Sequence, residues 1–232
     1  LIESHAMAFI HLDSNRPDVL LGAWQIEEDE IFFLTRLKLY ENEWKKLATI
    51  KHANRRLEWL SSRLCIKELL KIGHKDRIES LSEANGKPYL SNHPFNISFT
   101  HSHKYSAAIA APSGKVGIDI EYLGRQRNRR TSYLFMNEQE LAYYEAEPSQ
   151  QRFILIWSAK ETLYKSYGQR GLSFRQHIAT QVDHFHIDKE GILPAIIDKD
   201  GTQRNYAIYY KIFPEFILTY TIDSIQESLQ NV

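Results

Sequence analysis

One cysteine, Cys65, among 232 residues has no partner for an internal disulfide, so nothing in the chain asks for an oxidising compartment. It sits among Leu64, Ile66 and Leu69 in a helical pattern and reads as a small core residue. Excess charge is missing too: 29 Lys and Arg balance 29 Asp and Glu, where a general nucleic-acid binder would carry a basic surplus. No apolar run approaches the ~18 residues of a membrane span. The longest, Ala107 to Ala111 and Phe153 to Trp157, fall far short. Residues Leu1 to Met7 hold neither the basic start nor the long apolar stretch of a secretory signal, so a cytoplasmic location is expected. The chain also lacks a Gly-x-x-x-x-Gly-Lys-Ser/Thr loop, a Gly-x-Gly-x-x-Gly fingerprint, a Gly-x-Ser-x-Gly elbow and paired cysteines at zinc spacing.

What is present is the material of a folded core. Hydrophobic residues make up 43% and aromatic residues 12%, which excludes a disordered chain. A chain of this length buries roughly 70% of the surface its unfolded form exposes. The strongest helical pattern runs from about His52 to Ile72, with Leu57, Leu60, Leu64, Cys65, Leu69 and Ile72 at helical spacing and Gly73 at its end. Arg56, Arg63 and Lys67 fall within about 40° of one another on that helix and predict a basic stripe beside its apolar face.

Asn85-Gly86-Lys87-Pro88 reads as a turn, and Phe95 to Phe99 and Tyr105 to Ala111 as strands joined through Thr100-His101-Ser102-His103. Pro112-Ser113-Gly114 breaks the chain near its midpoint and predicts two parts, 1–112 and 113–232. The second opens with a strand, Val116 to Glu121, and a basic loop, Gly124 to Arg130. Helical patterns follow over Glu138 to Glu145 and Gln150 to Tyr167, then strands over Gln181 to Ile187, Asn205 to Phe213 and Phe216 to Ile222. Helices mixed with antiparallel strands in each half predict an α+β architecture.

Two short stretches hold residue types that do chemistry. In Val116-Gly117-Ile118-Asp119-Ile120-Glu121, the strand period of two puts Asp119 and Glu121 on one face. Paired carboxylates repel unless a cation or protons neutralise them, and such oxygen donors suit Mg²⁺. Two acids on a solvated strand face would have the same spacing. In Trp157-Ser158-Ala159-Lys160-Glu161-Thr162-Leu163-Tyr164-Lys165, a helix places Trp157, Glu161 and Lys165 on consecutive turns of one face. That pattern fits a third carboxylate with a phosphate-holding cation, and equally a surface Glu-Lys pair. Thr100-His101-Ser102 offers hydroxyls and an imidazole to a phosphate, or closes a turn. His184 and His186, read as alternating on a strand, have no third ligand nearby and count as surface histidines.

Taken in chain order, these elements resemble the 4′-phosphopantetheinyl transferases of the large, monomeric type that activates surfactin synthetase. The resemblance rests on Gly117-Ile118-Asp119-Ile120-Glu121 and on Trp157-Ser158-Ala159-Lys160-Glu161 with Lys165 a turn later. Gly86-Lys87-Pro88, Thr100-His101-Ser102, the Arg56 to Arg63 helix, the Phe135 to Leu141 segment with Glu140, and Gly171-Leu172-Ser173 support it. It implies two similar α+β halves related by a pseudo-twofold, with coenzyme A in the cleft between them. The implied reaction moves the phosphopantetheine arm of coenzyme A to a serine of an apo acyl or peptidyl carrier protein, releasing adenosine 3′,5′-bisphosphate. By the same resemblance, Asp119, Glu121 and Glu161 are Mg²⁺ ligands and Lys165 contacts a phosphate and assists the leaving group. Arg56, Arg63 and His101, with Thr100 before it, hold coenzyme A phosphates, while Lys87 and Pro88 line its adenine side. Glu161, directly or through a water, is the candidate acceptor of the serine proton.

The pattern departs from that family in places. Thr100 stands where Ser is commoner, Lys45, Lys46 and Lys51 have no assigned match, Glu140 adjoins Glu138 and Gln139, and residues beyond about 180 match nothing. Arg125, Arg127, Arg129 and Arg130 are a candidate docking surface for an acidic carrier protein, or a plain solvated loop. Two halves in one chain predict a monomer, with no nucleic-acid or membrane partner. The rival readings are a metal-dependent phosphodiesterase or nuclease and a non-catalytic coenzyme A-binding protein. The neutral charge balance disfavours the first, and three acids retained beside Lys165 disfavour the second.

Overall fold

The helix expected over 52–72 forms as α3, Ala53–Leu69, and it organises the first of two compact units. The computed structural model describes residues 9–73, 79–91, 93–124 and 129–223. One unit comprises Leu1–Glu83 and Pro88–Pro112, the other Ala84–Lys87 and Ser113–Val232. Among the described residues helix and strand are near parity, at 35% and 34%, and the fold is α+β. Among the described residues no helix is long and apolar enough to cross a membrane.

In the first unit, β1 (Phe9–Leu12), β2 (Leu20–Gln25), β5 (Asn96–Ser102) and β6 (Tyr105–Ala111) form an antiparallel sheet in the order β1-β2-β6-β5. The sequence of β6, Tyr-Ser-Ala-Ala-Ile-Ala-Ala, is buried throughout, and its small side chains let α3 lie close against it. Cys65, Ile66 and Leu69 pack there on Ala108, Ala110 and Ile97. Leu60 and Leu64 pack instead with Trp24, Phe33 and Leu37, the last two from α1 (Glu30–Leu37). Helix α2 (Glu41–Thr49) contributes Leu47 to the same cluster, and a short ribbon pairs β3 (Ser80–Ser82) with β4 (Pro88–Leu90). Thr100, His101 and Ser102 belong to β5 itself rather than to a connection.

The second unit is a five-stranded antiparallel sheet in the order β7-β11-β10-β9-β8. Its strands are β7 (Lys115–Tyr122), β8 (Ile178–Thr180), β9 (Glu190–Lys199), β10 (Thr202–Ile212) and β11 (Phe216–Asp223). Helices α4 (Ser132–Phe135), α5 (Glu138–Ala146), α6 (Gln150–Tyr167) and α7 (Phe174–His177) lie between β7 and β8 in the chain, and α6 packs along β7 and β11. Ser149 caps α6 by accepting from the Arg152 amide, and Gly168 ends it at φ 65.

One strand was misplaced by the sequence pattern. Residues 181–187, expected as a strand, follow β8 as a turn, with the Phe185 amide donating to the Val182 carbonyl and His184 at φ 57. His184 and His186 therefore do not alternate on a strand. The strand lies instead at 190–199, where Pro194 disguises it, and Asp200-Gly201, at φ 52 and 75, turns it into β10.

Gly117 sets how near α6 comes to β7. A Cβ built there would lie 2.1 Å from the Thr162 carbonyl oxygen and 2.9 Å from the Ser166 amide nitrogen, both backbone atoms of α6. Gly117→Ala is expected to push strand and helix apart and destabilise the protein by about 1–3 kcal/mol, or more if the helix cannot shift. Thermal or urea unfolding of the variant checks this, and an unchanged midpoint would show the packing to be slack.

Candidate active site

Strand periodicity aims Gly117, Asp119 and Glu121 at α6, and the same face of α6 returns Trp157, Glu161 and Lys165. Asp119 and Glu121 are 5% and 8% exposed, so these acids lie in an interior and not on a solvated strand face. Each meets its own donor. Lys165 Nζ donates to Asp119 Oδ1 at 2.7 Å and to the Ile118 carbonyl at 3.0 Å. Trp157 Nε1 donates to Glu121 Oε1 at 2.7 Å. Glu161 is one helical turn from both donors. Burial, then the charges of Asp119 and Glu121, push its carboxyl up to about 7, with Lys165 opposing. The third acid thus feels the other two, which is what a shared electrostatic site requires.

A hydroxyl network fixes the helix over this strand pair. Ser158 Oγ and Thr162 Oγ1 lie 2.8 and 2.7 Å from Thr219 Oγ1, which also reaches the Ser158 carbonyl at 3.0 Å. Thr219 is the β11 residue paired with Asp119, so the network sits one strand away from the acids. Sequence reasoning passed over these hydroxyls. Their signal was small polar residues at i and i+4 on a helix otherwise bound for the core.

Behind the site, Lys160 and Glu140 form a fully buried ion pair at 2.7 Å, each side chain 0% exposed. Lys160 Nζ also donates to the Phe174 and Ile178 carbonyls at 2.7 and 2.6 Å. Glu140 accepts from the Thr180 amide and hydroxyl, both at 2.7 Å, and from the Asn137 amide at 2.8 Å in the capping box of α5. Glu138 and Gln139 are exposed, so Glu140 is the inward acid of that run.

Lys87 belongs to the same unit. Its Nζ donates to the Ser166 carbonyl at 3.4 Å, and the turn that carries it is tied down by Asn85 Nδ2 on the Gly168 carbonyl at 2.6 Å. A cation is thereby placed at the negative end of α6.

The other expected phosphate and adenine contacts lie in the first unit, and there the basic stripe needs correction. Arg63 is half-buried, its guanidinium stacked 3.5 Å from the Trp59 ring centroid and donating to the Trp59 carbonyl at 3.1 Å. Its Nε is buried without a hydrogen-bond partner and lines a cavity of about 10 Å³ with Glu43, Ser80 and Phe99. Lys67 is buried, donating to the Arg36 carbonyl at 2.8 Å. Arg56 pairs with Glu30 through Nε at 2.7 Å and NH2, and reaches the Leu47 carbonyl at 2.7 Å. The stripe faces protein because these long side chains run along the apolar face and end on carbonyls and acids. His101 Nδ1 lies 3.3 Å from Glu58 Oε2, Thr100 is buried, and Pro88 opens β4. Of the basic loop, Arg130 is exposed, while Arg125, Arg127 and the Arg129 side chain lie outside the described residues.

The donor set suits a hard divalent cation in its chemistry: two buried carboxylates and a half-buried third that feels their charge, beside a single lysine. Among the described residues, no three His, Cys, Asp or Glu side chains are grouped closely enough to hold an ion as they are now arranged. Without a cation, Glu161 costs stability in a definite pH range. Its folded-state pKa of about 7 lies above the ordinary 4.5, so the stability it contributes is complete below 4.5 and is lost as pH rises through 7. Metal-free protein is expected to lose up to about 3 kcal/mol over that range, and Glu161→Gln to remove the loss. Melting temperatures of both proteins from pH 5 to 8.5 in chelator check this, and parallel curves would refute it.

The chain matches no curated protein. Residues 115–221, which begin at β7 and end within β11, match the family model of the 4′-phosphopantetheinyl transferase superfamily. The matched stretch is a little under half of the chain and contains Asp119, Glu121, Glu140, Trp157, Lys160, Glu161 and Lys165. Over that stretch the chain is similar to the 4′-phosphopantetheinyl transferase superfamily.

Proposed function

We propose that this protein transfers the 4′-phosphopantetheine arm of coenzyme A to a serine hydroxyl of an apo acyl or peptidyl carrier protein, as the large surfactin-synthetase-activating transferases do. The observation that carries the reading is the pairing of Asp119 and Glu121 on β7 with Trp157, Glu161 and Lys165 on α6, all inside the superfamily match. In the reaction the serine oxygen bonds to the β-phosphorus of coenzyme A, the pyrophosphate bond to that phosphorus breaks, and adenosine 3′,5′-bisphosphate leaves. Asp119, Glu121 and Glu161 would hold Mg²⁺, which, when bound, offsets the negative charge of the pyrophosphate.

This chain's own residues do the remaining work. Glu161, directly or through a water, is the proposed acceptor of the serine proton. Lys165 supplies the positive charge that meets the departing phosphate. Lys87, on the turn against α6, and Pro88 are the proposed contacts for adenine. His101, Thr100, Arg56 and Arg63 are the proposed contacts for the nucleotide phosphates, and Arg56 would then exchange its pairing with Glu30 for a phosphate. Arg130 is the exposed described member of the proposed carrier-docking loop. The protein acts as a monomer in the cytoplasm on this reading.

The test is the intact mass of an apo carrier protein after incubation with this protein, coenzyme A and Mg²⁺. A gain of one phosphopantetheine, abolished by a chelator, is expected. Coenzyme A binding without any mass gain on several unrelated carriers would point to a binding protein, and absence of coenzyme A binding would overturn the reading.

A further inference from the structure

The two strand acids are held by different kinds of donor. Lys165 meets Asp119 with a full positive charge, which largely cancels that carboxylate. Trp157 meets Glu121 with an indole N–H, a donor that carries no net charge and has one hydrogen to give. The bond therefore fixes the position of one oxygen of Glu121. The indole is itself held from two directions. Its ring centroid is 5.1 Å from that of Phe135, edge to face, and 5.5 Å from that of Phe174. Phe135 belongs to α4 and Phe174 to α7, so three helices decide where the Nε1 hydrogen points.

We propose that Trp157 is a positioning residue for the cation site, orienting Glu121 through the Nε1–Oε1 hydrogen bond so that a divalent ion meets a pre-aligned carboxylate. The inference rests on the proposed metal-dependent transfer and assigns to Trp157 a role beyond packing. Donors behind a metal ligand lower the cost of ordering it, and their loss characteristically weakens metal binding by 10–100-fold. Trp157 lies on the helix face that also carries Glu161, one turn away.

The probe is Mg²⁺ alone, titrated calorimetrically into wild-type protein, Trp157→Phe and Glu121→Gln, with Mn²⁺ as a paramagnetic check. Phenylalanine keeps an aromatic ring between Phe135 and Phe174 and deletes the N–H, so the metal-free melting temperature of Trp157→Phe is expected to stay within about 3 °C of wild type. Mg²⁺ affinity is expected to fall about tenfold or more in Trp157→Phe and further in Glu121→Gln. Wild-type affinity in a folded Trp157→Phe would overturn the positioning role and leave the transfer reading intact. No Mg²⁺ binding by the wild type would overturn the positioning role, and the carrier-protein mass assay decides the transfer reading separately.

Discussion

Glu161→Gln is expected to lower the rate of carrier-protein modification by about 10²–10⁴-fold, the range over which a positioned acid–base group acts. Glutamine keeps the size of the side chain and one oxygen, but it cannot take the serine proton. It also removes one of three negative charges from the acidic group, and so weakens the hold on a divalent cation. The two roles separate experimentally. If Mg²⁺ affinity survives while the rate collapses, proton transfer is the main contribution. If both fall together, the charge of Glu161 serves the cation as well. A near wild-type rate with Mg²⁺ bound would remove both roles at once. The substitution is expected to leave the fold in place, because burial and the charges of Asp119 and Glu121 disfavour the charged form of Glu161 and outweigh the attraction of Lys165.

The second large effect concerns stability. Glu140→Gln is expected to cost about 3–5 kcal/mol, because it leaves the Lys160 ammonium buried without its counter-charge. For a protein of this size that is a fall in melting temperature of roughly 6–20 °C. The two carbonyls that Lys160 also reaches soften the loss but carry no full charge. Replacing both partners, as in Glu140→Leu with Lys160→Met, is expected to cost less than Glu140→Gln alone, since no charge is then stranded. A double-mutant cycle by urea unfolding reads this directly. A single-variant loss below about 1 kcal/mol would mean that the pair is replaceable by neutral contacts.

How much of this was written in the sequence depends on the range of each interaction. Helix α6 was legible to its end residues because its signals are local: Ser149 before it, Gly168 after it and apolar spacing between. The placement of Asp119 and Glu121 on one face followed from the strand period alone. Their burial did not, because it depends on α6 returning across β7, a contact between residues about forty positions apart in the chain. Glu140 and Lys160 are twenty apart, and only the structure joins them. The basic stripe was misread for the opposite reason. Helical angle gave the direction of Arg56, Arg63 and Lys67 correctly, but a direction does not reveal whether water or a carbonyl lies at its end. Strand β9 was hidden by Pro194, which sits within its pairing with β10 opposite Ala207.

The turn over Ala84–Lys87 has a practical meaning for dissecting the molecule. It groups with the second unit although it lies within the stretch of chain that builds the first, and Asn85 and Lys87 satisfy carbonyls at the end of α6. A fragment cut between Pro112 and Ser113 would therefore lose a turn that belongs to its own compact unit. Residues 113–232 expressed alone would leave the Ser166 and Gly168 carbonyls at the end of α6 without these donors, and a synthetic peptide carrying 84–87 would be the missing piece to add back.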